Sequence, residues 1–246
     1  MTNMITFEYP LNEKIRSYLR FEFLFLQIMR AKEFTHESDA TVFFKALFEL
    51  IDLSERCDIR HDLIKDLRLL SEQFKLWLKH EEADQQAVSE LLSEIDMLII
   101  AVLAMPKQLR YFKSNRFLTS LKQRFCIPSG SCNFDLPQYH FWLAEGKIKQ
   151  SKDADSWLIP FEALQKSVLL FLKLKRSQGT PSKQIAVNGF YQGEVENSCF
   201  VSIELDTSCA VYPIISGHKN RYSIRFMCSD IENHLSENIE FKQICC

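Results

Sequence analysis

The chain has 246 residues, of which 46% are hydrophobic, and its 30 Lys and Arg residues are offset by 32 Asp and Glu residues. This apolar content is sufficient for a buried core and excludes a disordered chain. The formal net charge of -2 excludes a general attraction to nucleic acid or to anionic membranes, so any electrostatic recognition requires a local patch.

The first part of the chain has the 3.6-residue periodicity of amphipathic helices. Residues 11 to 30 predict a first helix whose apolar face consists of Leu11, Ile15, Tyr18, Leu19, Phe23, Leu26 and Met29. Three further helices are predicted to begin after residues that can act as N-caps, namely Ser38 or Asp39, Asp58, and Asp84. These four helices are expected to share one core.

The fourth helix contains the apolar run MLIIAVLAM at residues 97 to 105, and Pro106 is predicted to end it. This run is about half of the roughly 20 residues that span a bilayer, so it predicts a buried helical segment. Residues 107 to 125 continue the helical pattern. Two prolines and a glycine in residues 127 to 143 predict a loop, and residues 155 to 178 predict a last helix.

Beyond residue 183 the hydrophobic period changes to two, which is typical of antiparallel strands. Ile5, Phe7 and Tyr9 alternate in the same way near the N-terminus and predict an extra strand. The fold class is therefore predicted to be α+β. An α-helical domain at residues 10 to 178 is expected to pack on a smaller antiparallel β domain at residues 183 to 246, with residues 4 to 9 as the joining strand.

Two segments concentrate positive charge. In SGHKNRYSIRFM, at residues 216 to 227, strand geometry puts the apolar and the cationic side chains on opposite faces. The apolar face has Tyr222, Ile224 and Phe226, and the other has Lys219, Arg221, Ser223 and Arg225. The second segment, residues 110 to 125, contains no acidic residue and holds Arg110, Lys113, Arg116, Lys122 and Arg124.

Two kinds of ligand suit such cationic segments with interleaved aromatic residues. Nucleic acid could stack its bases on the aromatic rings. A peptide could instead place carboxylates on the arginines and apolar side chains in a pocket. The overall charge and the absence of a nucleic-acid-binding signature favour the peptide, and a nucleic-acid-binding module remains the alternative.

The sequence offers little material for an enzyme. Cys132, Asp135 and His140 could form a nucleophile, an orienting acid and a base, but their separation along the chain does not fix their geometry. Phosphate-binding, hydrolase and zinc-protease motifs are absent. Cys57 and His61 have helical spacing for half of a metal site, but no second pair accompanies them. We therefore expect neither catalysis, nor a cofactor, nor a metal.

The eight cysteines include no C-x-x-C pattern and indicate reduced thiols. The N-terminal residues show no secretory signal, so we expect a cytoplasmic protein without a membrane partner. The chain ends in Cys245 and Cys246, for which a metal or redox role is less expected than a simple terminus.

Several stretches resemble the ZapD family of bacterial cell-division proteins, which associate with the ring of the tubulin-like protein FtsZ. These are FEYPLNEKIRSYLRFEFL at residues 7 to 24, FDLPQYHFWL at 134 to 143, NGFYQ at 188 to 192, YPIISGHKNRYSIRFM at 212 to 227, and the final CC. They lie in the same order over nearly the whole chain, and residues 31 to 105 are the least distinctive part.

The resemblance implies a non-enzymatic homodimer with a helical and a β domain, acting in the cytoplasm at the mid-cell division ring. Such a protein would bind the C-terminal tail of FtsZ and bundle its protofilaments, which promotes assembly of the ring. The basic pocket associated with the family maps here onto Arg20, Arg116 and His140. To these we add Arg221, Arg225 and Arg56 as electrostatic guides for the tail.

Overall fold

A computed structural model describes residues 4–79, 84–106, 110–196, 198–218, 220–228 and 237–246. Its helices are α1 (Glu13–Ala31), α2 (Asp39–Arg56), α3 (Arg60–Trp77), α4 (Gln85–Ala104), α5 (Arg110–Ser114), α6 (Arg116–Phe125), α7 (Pro137–Ala144), α8 (Lys147–Leu158) and α9 (Glu162–Gln178). Its strands are β1 (Met4–Pro10), β2 (Thr180–Ala186), β3 (Phe190–Glu194), β4 (Phe200–Asp206), β5 (Val211–His218), β6 (Arg221–Cys228) and β7 (Ile239–Cys245). The predicted α+β class is confirmed.

The chain divides into two compact units. The helical unit is Arg20–Phe171, and the β unit combines Met1–Leu19 with Leu172–Cys246. The division falls within α1 and α9, the two helices whose ends continue into the strands. The domain boundaries proposed between residues 178 and 183 stay a prediction.

The β unit contains two antiparallel sheets, with the strand orders β1-β4-β7-β2 and β3-β6-β5. The predicted N-terminal strand is present as β1, in which Ile5 lies opposite Leu205 and Phe7 opposite Ile203 of β4. The hydroxyl of Tyr9 on β1 donates to the carbonyl of Gly217 on β5 at 3.2 Å and so links the two sheets. The first strand and the last part of the chain therefore build one structure.

Side chains from both sheets form one core in the β unit. Its members include Val201, Ile203, Leu205, Tyr222, Ile224, Phe226 and Phe241. Tyr222 is its central polar member, and its hydroxyl donates to the side-chain oxygen of Gln243. Burial of this phenol raises its pKa, so the hydroxyl keeps its proton and remains a donor.

Glycine flanks Tyr222 on both neighbouring strands. Gly193 on β3 and Gly217 on β5 lie opposite it in the register. A Cβ atom added at Gly217 would lie 2.6 Å from the Cβ of Tyr222 and 2.6 Å from the carbonyl oxygen of Arg221. The core therefore has room for the Tyr222 ring because its two neighbours have no side chain.

The helical unit is organised around the ring of Phe44 on α2, which is fully buried. Its ring centroid lies between 5.2 and 6.1 Å from those of Phe43, Phe48, Phe117, Phe125, Tyr139, Trp142 and Trp157. Such separations are those of favourable aromatic pairs. The cluster holds α2, α6, α7 and α8 together.

The predicted inward face of α1 is wrong in its second half. Phe23, Leu26 and Met29 are exposed, and the buried face continues from Tyr18 through Phe21, Leu24, Phe25 and Ile28. Residues 19 to 29 have apolar side chains on nearly every side of the helix, so periodicity fits more than one face. Packing against the rest of the unit selects between them.

The apolar run in α4 is only partly buried. Ile99 and Val102 are buried, whereas Met97, Ile100 and Leu103 have exposed fractions of 62%, 67% and 59%. The prediction of a buried segment is therefore wrong for one side of this helix. No helix among the described residues is long and apolar enough to cross a membrane.

The structure also refines two later boundaries. The predicted loop at residues 127 to 143 contains α7, which Pro137 begins from a position where the absent N–H costs no hydrogen bond. The predicted last helix is two helices, because a 3-10 turn at Ile159–Phe161 containing Pro160 separates α8 from α9.

The packing of Tyr222 leads to a stability prediction. Replacing Gly217 with Ala should lower the free energy of unfolding by about 1 to 3 kcal/mol, because the new methyl group overlaps atoms that cannot rotate away. Urea denaturation followed by circular dichroism measures this change. Ser216→Ala, one residue earlier on the outward face, is the control and should have little effect. Equal stability of the two variants would contradict the packing argument.

Candidate peptide-binding surfaces

The acid-free segment at residues 110 to 125 is not free of acidic partners in space. Lys113 pairs with Glu55 at 3.1 Å and Lys122 pairs with Asp52, both acids being on α2. Arg124 lies 3.4 Å from Asp135 in the loop before α7. Carboxylates from other elements therefore compensate these three cations, which the sequence of the segment alone does not reveal. The side chain of Arg110 lies outside the described residues.

Arg116 differs from these neighbours. It is the first residue of α6, directly after Asn115, whose side-chain oxygen caps the helix by accepting from the N–H of Leu118 at 3.1 Å. Arg116 is exposed, and no carboxylate of the described stretches lies within ion-pair distance of it. The positive end of the α6 dipole adds to the charge of the guanidinium. Both features favour an anion at this position.

His140 lies on α7, which packs against α6. The ring of Trp142 is 6.1 Å from that of Phe117, and the ring of Tyr139 is 5.6 Å from that of Phe125. The helices that carry Arg116 and His140 are therefore direct neighbours. His140 is exposed, and the next residue, Phe141, exposes a large aromatic ring.

Arg20 and Arg56 lie on two other helices of the same unit. Arg20 is exposed on α1, one turn before the exposed ring of Phe23. Arg56 is exposed in the last turn of α2. The structure thus brings the helices of Arg116 and His140 together, while Arg20 and Arg56 lie on separate elements.

In the β unit, β6 has the two faces that its sequence predicts. Tyr222, Ile224 and Phe226 are buried, and Arg221 and Arg225 are exposed. Lys219, which was predicted on the same cationic face, lies outside the described residues. The first arginine has an acidic partner and the second has an aromatic one, so their surroundings differ.

These surroundings come from β3. Glu194 lies opposite Arg221, and its carboxylate is 3.0 Å from the guanidinium. Phe190 lies opposite Arg225, whose guanidinium is 5.9 Å from the ring centroid, a cation–π distance. Sequence analysis missed Glu194 and Phe190 as neighbours of the arginines. The Asn188–Gly189 pair, which has positive φ at both residues as a tight hairpin turn requires, indicates the turn from β2 into β3, but it does not reveal that β3 pairs with β6.

Cys132, Asp135 and His140 do not form the hydrogen-bonded set that a thiol nucleophile requires in the described parts of the chain. The Cys132 thiol donates to the carbonyl of Ser129 at 2.6 Å and lies 3.8 Å from the carboxylate of Asp135. Asp135 also contacts Arg124. Within the described parts of the chain, no hydrogen bond joins Cys132 to His140, although a nucleophile and its base require one.

The structure also bears on the proposed metal half-site. Cys57 is the extended residue that follows α2, and His61 lies in the first turn of α3, so the helical spacing of the two residues does not put them on one helix. Across the stretches with a described structure, no three His, Cys, Asp or Glu side chains form a group suited to a metal ion.

The two terminal cysteines point to opposite faces of the sheet. Cys245 packs against the core, where it accepts a hydrogen bond from the side-chain amide of Gln243 at 3.0 Å. Cys246 continues the pairing with β4, since its N–H donates to the carbonyl of Phe200 at 3.0 Å. Burial raises the pKa of the Cys246 thiol to about 11. The Cys246 thiol therefore lacks the low pKa of a reactive cysteine, and Cys245 is only partly accessible.

Comparison with known proteins matches this chain to one family of cell division proteins. Residues 19–225 match the family model of ZapD, described as a cell division protein. The chain is 37% identical over 240 residues to the cell division protein ZapD of Vibrio parahaemolyticus, with 98% of each chain covered. The corresponding protein of Vibrio vulnificus strain CMCP6 has the same identity and coverage. That of Aliivibrio fischeri is 36% identical over 243 residues, with 99% of this chain and 98% of the relative covered.

The raised pKa of Cys246 predicts slow alkylation. At pH 8 iodoacetamide should modify the exposed Cys126 and Cys209 before Cys246, because only the thiolate reacts and burial keeps Cys246 protonated. Peptide mass spectrometry over a time course measures the three rates. Urea-unfolded chain is the control, in which the three rates should converge. Equal rates in the folded chain would contradict the burial of this thiol.

Proposed function

The chain belongs to the ZapD family of cell division proteins, and we propose that it binds the C-terminal tail of FtsZ through its exposed cationic residues. As a homodimer it would crosslink and bundle FtsZ protofilaments and so promote assembly of the division ring. It would act without catalysis or a cofactor, in the cytoplasm at mid-cell. The family supports the role in cell division, and the surfaces described above support the more specific steps.

The observation that carries the proposal is the pairing of exposed cations with exposed apolar side chains. Arg20 lies near Phe23, His140 is followed by Phe141, and Arg225 contacts Phe190; all three rings are exposed. A peptide that combines carboxylates with apolar side chains suits such surfaces, because charges steer it and apolar contacts hold it. Arg116 is the strongest cationic candidate in the helical unit, because it has no carboxylate partner in the described stretches and lies at the positive end of the α6 dipole.

A nucleic-acid-binding function has less support. Binding along a phosphate backbone requires several cations that are available together. Lys113, Lys122 and Arg124 are instead paired with acids of the same unit. The basic segment that suggested this alternative is therefore largely neutralised.

An exposed apolar surface supports the proposal of a homodimer. Leu69 of α3 and Leu103 of α4 line one open groove, and Met97 and Ile100 continue the apolar surface along α4. Contiguous exposed apolar side chains often mark protein interfaces, and full burial of one such side chain contributes about 1.5 to 3 kcal/mol. A symmetric dimer also supplies the two equivalent sites that a crosslinker needs.

Charge reversal at Arg116 tests the tail-binding site. In Arg116→Glu, affinity for a fluorescein-labelled FtsZ C-terminal peptide should fall about tenfold or more, because attraction becomes repulsion. Fluorescence anisotropy at low and high salt measures the affinity, and wild-type binding should weaken with salt. The melting temperature should not change, because the exposed side chain has no described ion pair.

The matched control is Lys45→Glu, which makes the same change in net charge at another exposed position, on α2. It should retain most of the affinity. Unchanged binding by Arg116→Glu, or an equal loss in Lys45→Glu, would contradict the assignment of Arg116. Absence of wild-type binding at low salt would contradict tail binding itself.

Substitution on α4 tests the dimer. Ile100→Asp should yield monomers in size-exclusion chromatography with light scattering, because it would bury an unpaired carboxylate in an apolar interface. Ser89→Asp puts the same charge on the exposed side of the helix three turns earlier and should remain dimeric. A dimeric Ile100→Asp protein, or a monomeric wild-type chain, would contradict this interface.

A further inference from the structure

The outward face of the β3-β6-β5 sheet contains a shallow trough. Its floor is the short row formed by Gln192, Ser223 and Ser216, which lie opposite one another on the three strands. The two serine hydroxyls are hydrogen-bonded at 2.9 Å. The concavity measures about 560 Å³ and is lined by this floor and by Glu194 and Arg221 of one adjacent row. The adjacent row on the other side bounds the floor outside that concavity.

One wall is apolar with a single cation at its centre. Arg225 lies between Phe190 on β3 and Ile214 on β5 in the register. The apolar neighbours have exposed fractions of 42% and 51%. No carboxylate in the described stretches pairs with Arg225, so its charge is available to a ligand.

The opposite wall is an ion pair at the surface. Arg221 and Glu194 are joined at 3.0 Å although their side chains are 84% and 73% exposed. An ion pair so accessible to water contributes little to stability. The strands already pair through their backbones, so the fold does not depend on the Glu194 carboxylate. The main electrostatic effect of the Glu194 carboxylate is to neutralise the charge of Arg221 by pairing with it.

We propose that this trough binds an acidic, partly apolar peptide segment and that Glu194 competes with the ligand for Arg221. The inference rests on the proposed function, since it assigns to the tail a place in the β unit and an internal competitor. An apolar side chain of the peptide contacts Phe190 and Ile214, and one carboxylate binds Arg225. A second carboxylate must displace Glu194 from Arg221.

Glu194 thereby determines how much a ligand carboxylate gains at Arg221. A ligand without a carboxylate that reaches Arg221 leaves the internal pair intact and gains nothing there. A ligand with two suitably spaced carboxylates replaces the internal pair with its own. Glu194 therefore lowers the affinity of ligands that place a carboxylate on Arg221 and leaves the affinity of other ligands unchanged.

The test of the competing carboxylate uses anisotropy with the labelled FtsZ C-terminal peptide and full-length protein. Glu194→Gln should tighten binding about threefold, since the energy of an exposed ion pair is no longer lost on binding. Glu240→Gln removes an equal charge from an exposed position on β7 and corrects for the change in net charge. A peptide whose Asp and Glu residues are replaced by Asn and Gln should lose the advantage of Glu194→Gln.

The test of the apolar wall compares two exposed isoleucines. Ile214→Ala should weaken peptide binding about fivefold through lost apolar contact. Ile185→Ala is a matched control, because Ile185 lies on β2 of the other sheet with a similar exposed fraction of 54%. Circular dichroism establishes that both variants are folded.

The outcomes separate this inference from the proposed function. Tail binding stands if Arg116→Glu abolishes binding. The trough is nevertheless overturned if Ile214→Ala has the same affinity as its control Ile185→Ala. It is also overturned if Glu194→Gln has the same affinity as its control Glu240→Gln. Absence of wild-type binding at low salt overturns both. Tighter binding by Glu194→Gln alone, together with weaker binding by Ile214→Ala alone, supports the trough and its internal competitor.

Discussion

The burial of Tyr222 between two glycines is the constraint on which the cationic face of the β unit depends. Successive side chains of a strand point to opposite faces, so a shift of one residue would exchange the core and the surface. Gly193 and Gly217 admit the ring only where they lie opposite it, and the side-chain oxygen of Gln243 accepts a hydrogen bond from its hydroxyl. This register also places the arginines of β6 outward, beside Phe190 and Glu194.

The aromatic cluster has a comparable role in the helical unit. Phe44 lies within ring-contact distance of residues on α6, α7 and α8, and this packing makes the helices of Arg116 and His140 neighbours. The cluster residues next to these two cations in sequence are Phe117 and Tyr139. A protein that presents a weak peptide site gains from such rigid support, because fewer side chains must be ordered on binding.

Whether a cation has a carboxylate partner decides which of the arginines and lysines are available to a ligand. Lys122 and Arg221 each have a carboxylate partner, whereas Arg116 and Arg225 have none in the described stretches. In the proposed function the unpaired arginines attract the FtsZ tail, and the paired ones respond only to a ligand that can replace their partners. An arrangement of this kind combines steering with discrimination.

The sequence by itself determined the α+β class, the N-terminal strand and the two faces of β6, because these follow from local periodicity. It also carried the resemblance to the ZapD family. It could not select the buried face of α1 or reveal the exposed side of α4, since both helices are apolar nearly all round and only packing chooses which side is covered. The partners of Lys122, Arg221 and Arg225 depend on residues distant in sequence. Tertiary structure alone decided them, because strand register and helix packing determine which charges meet.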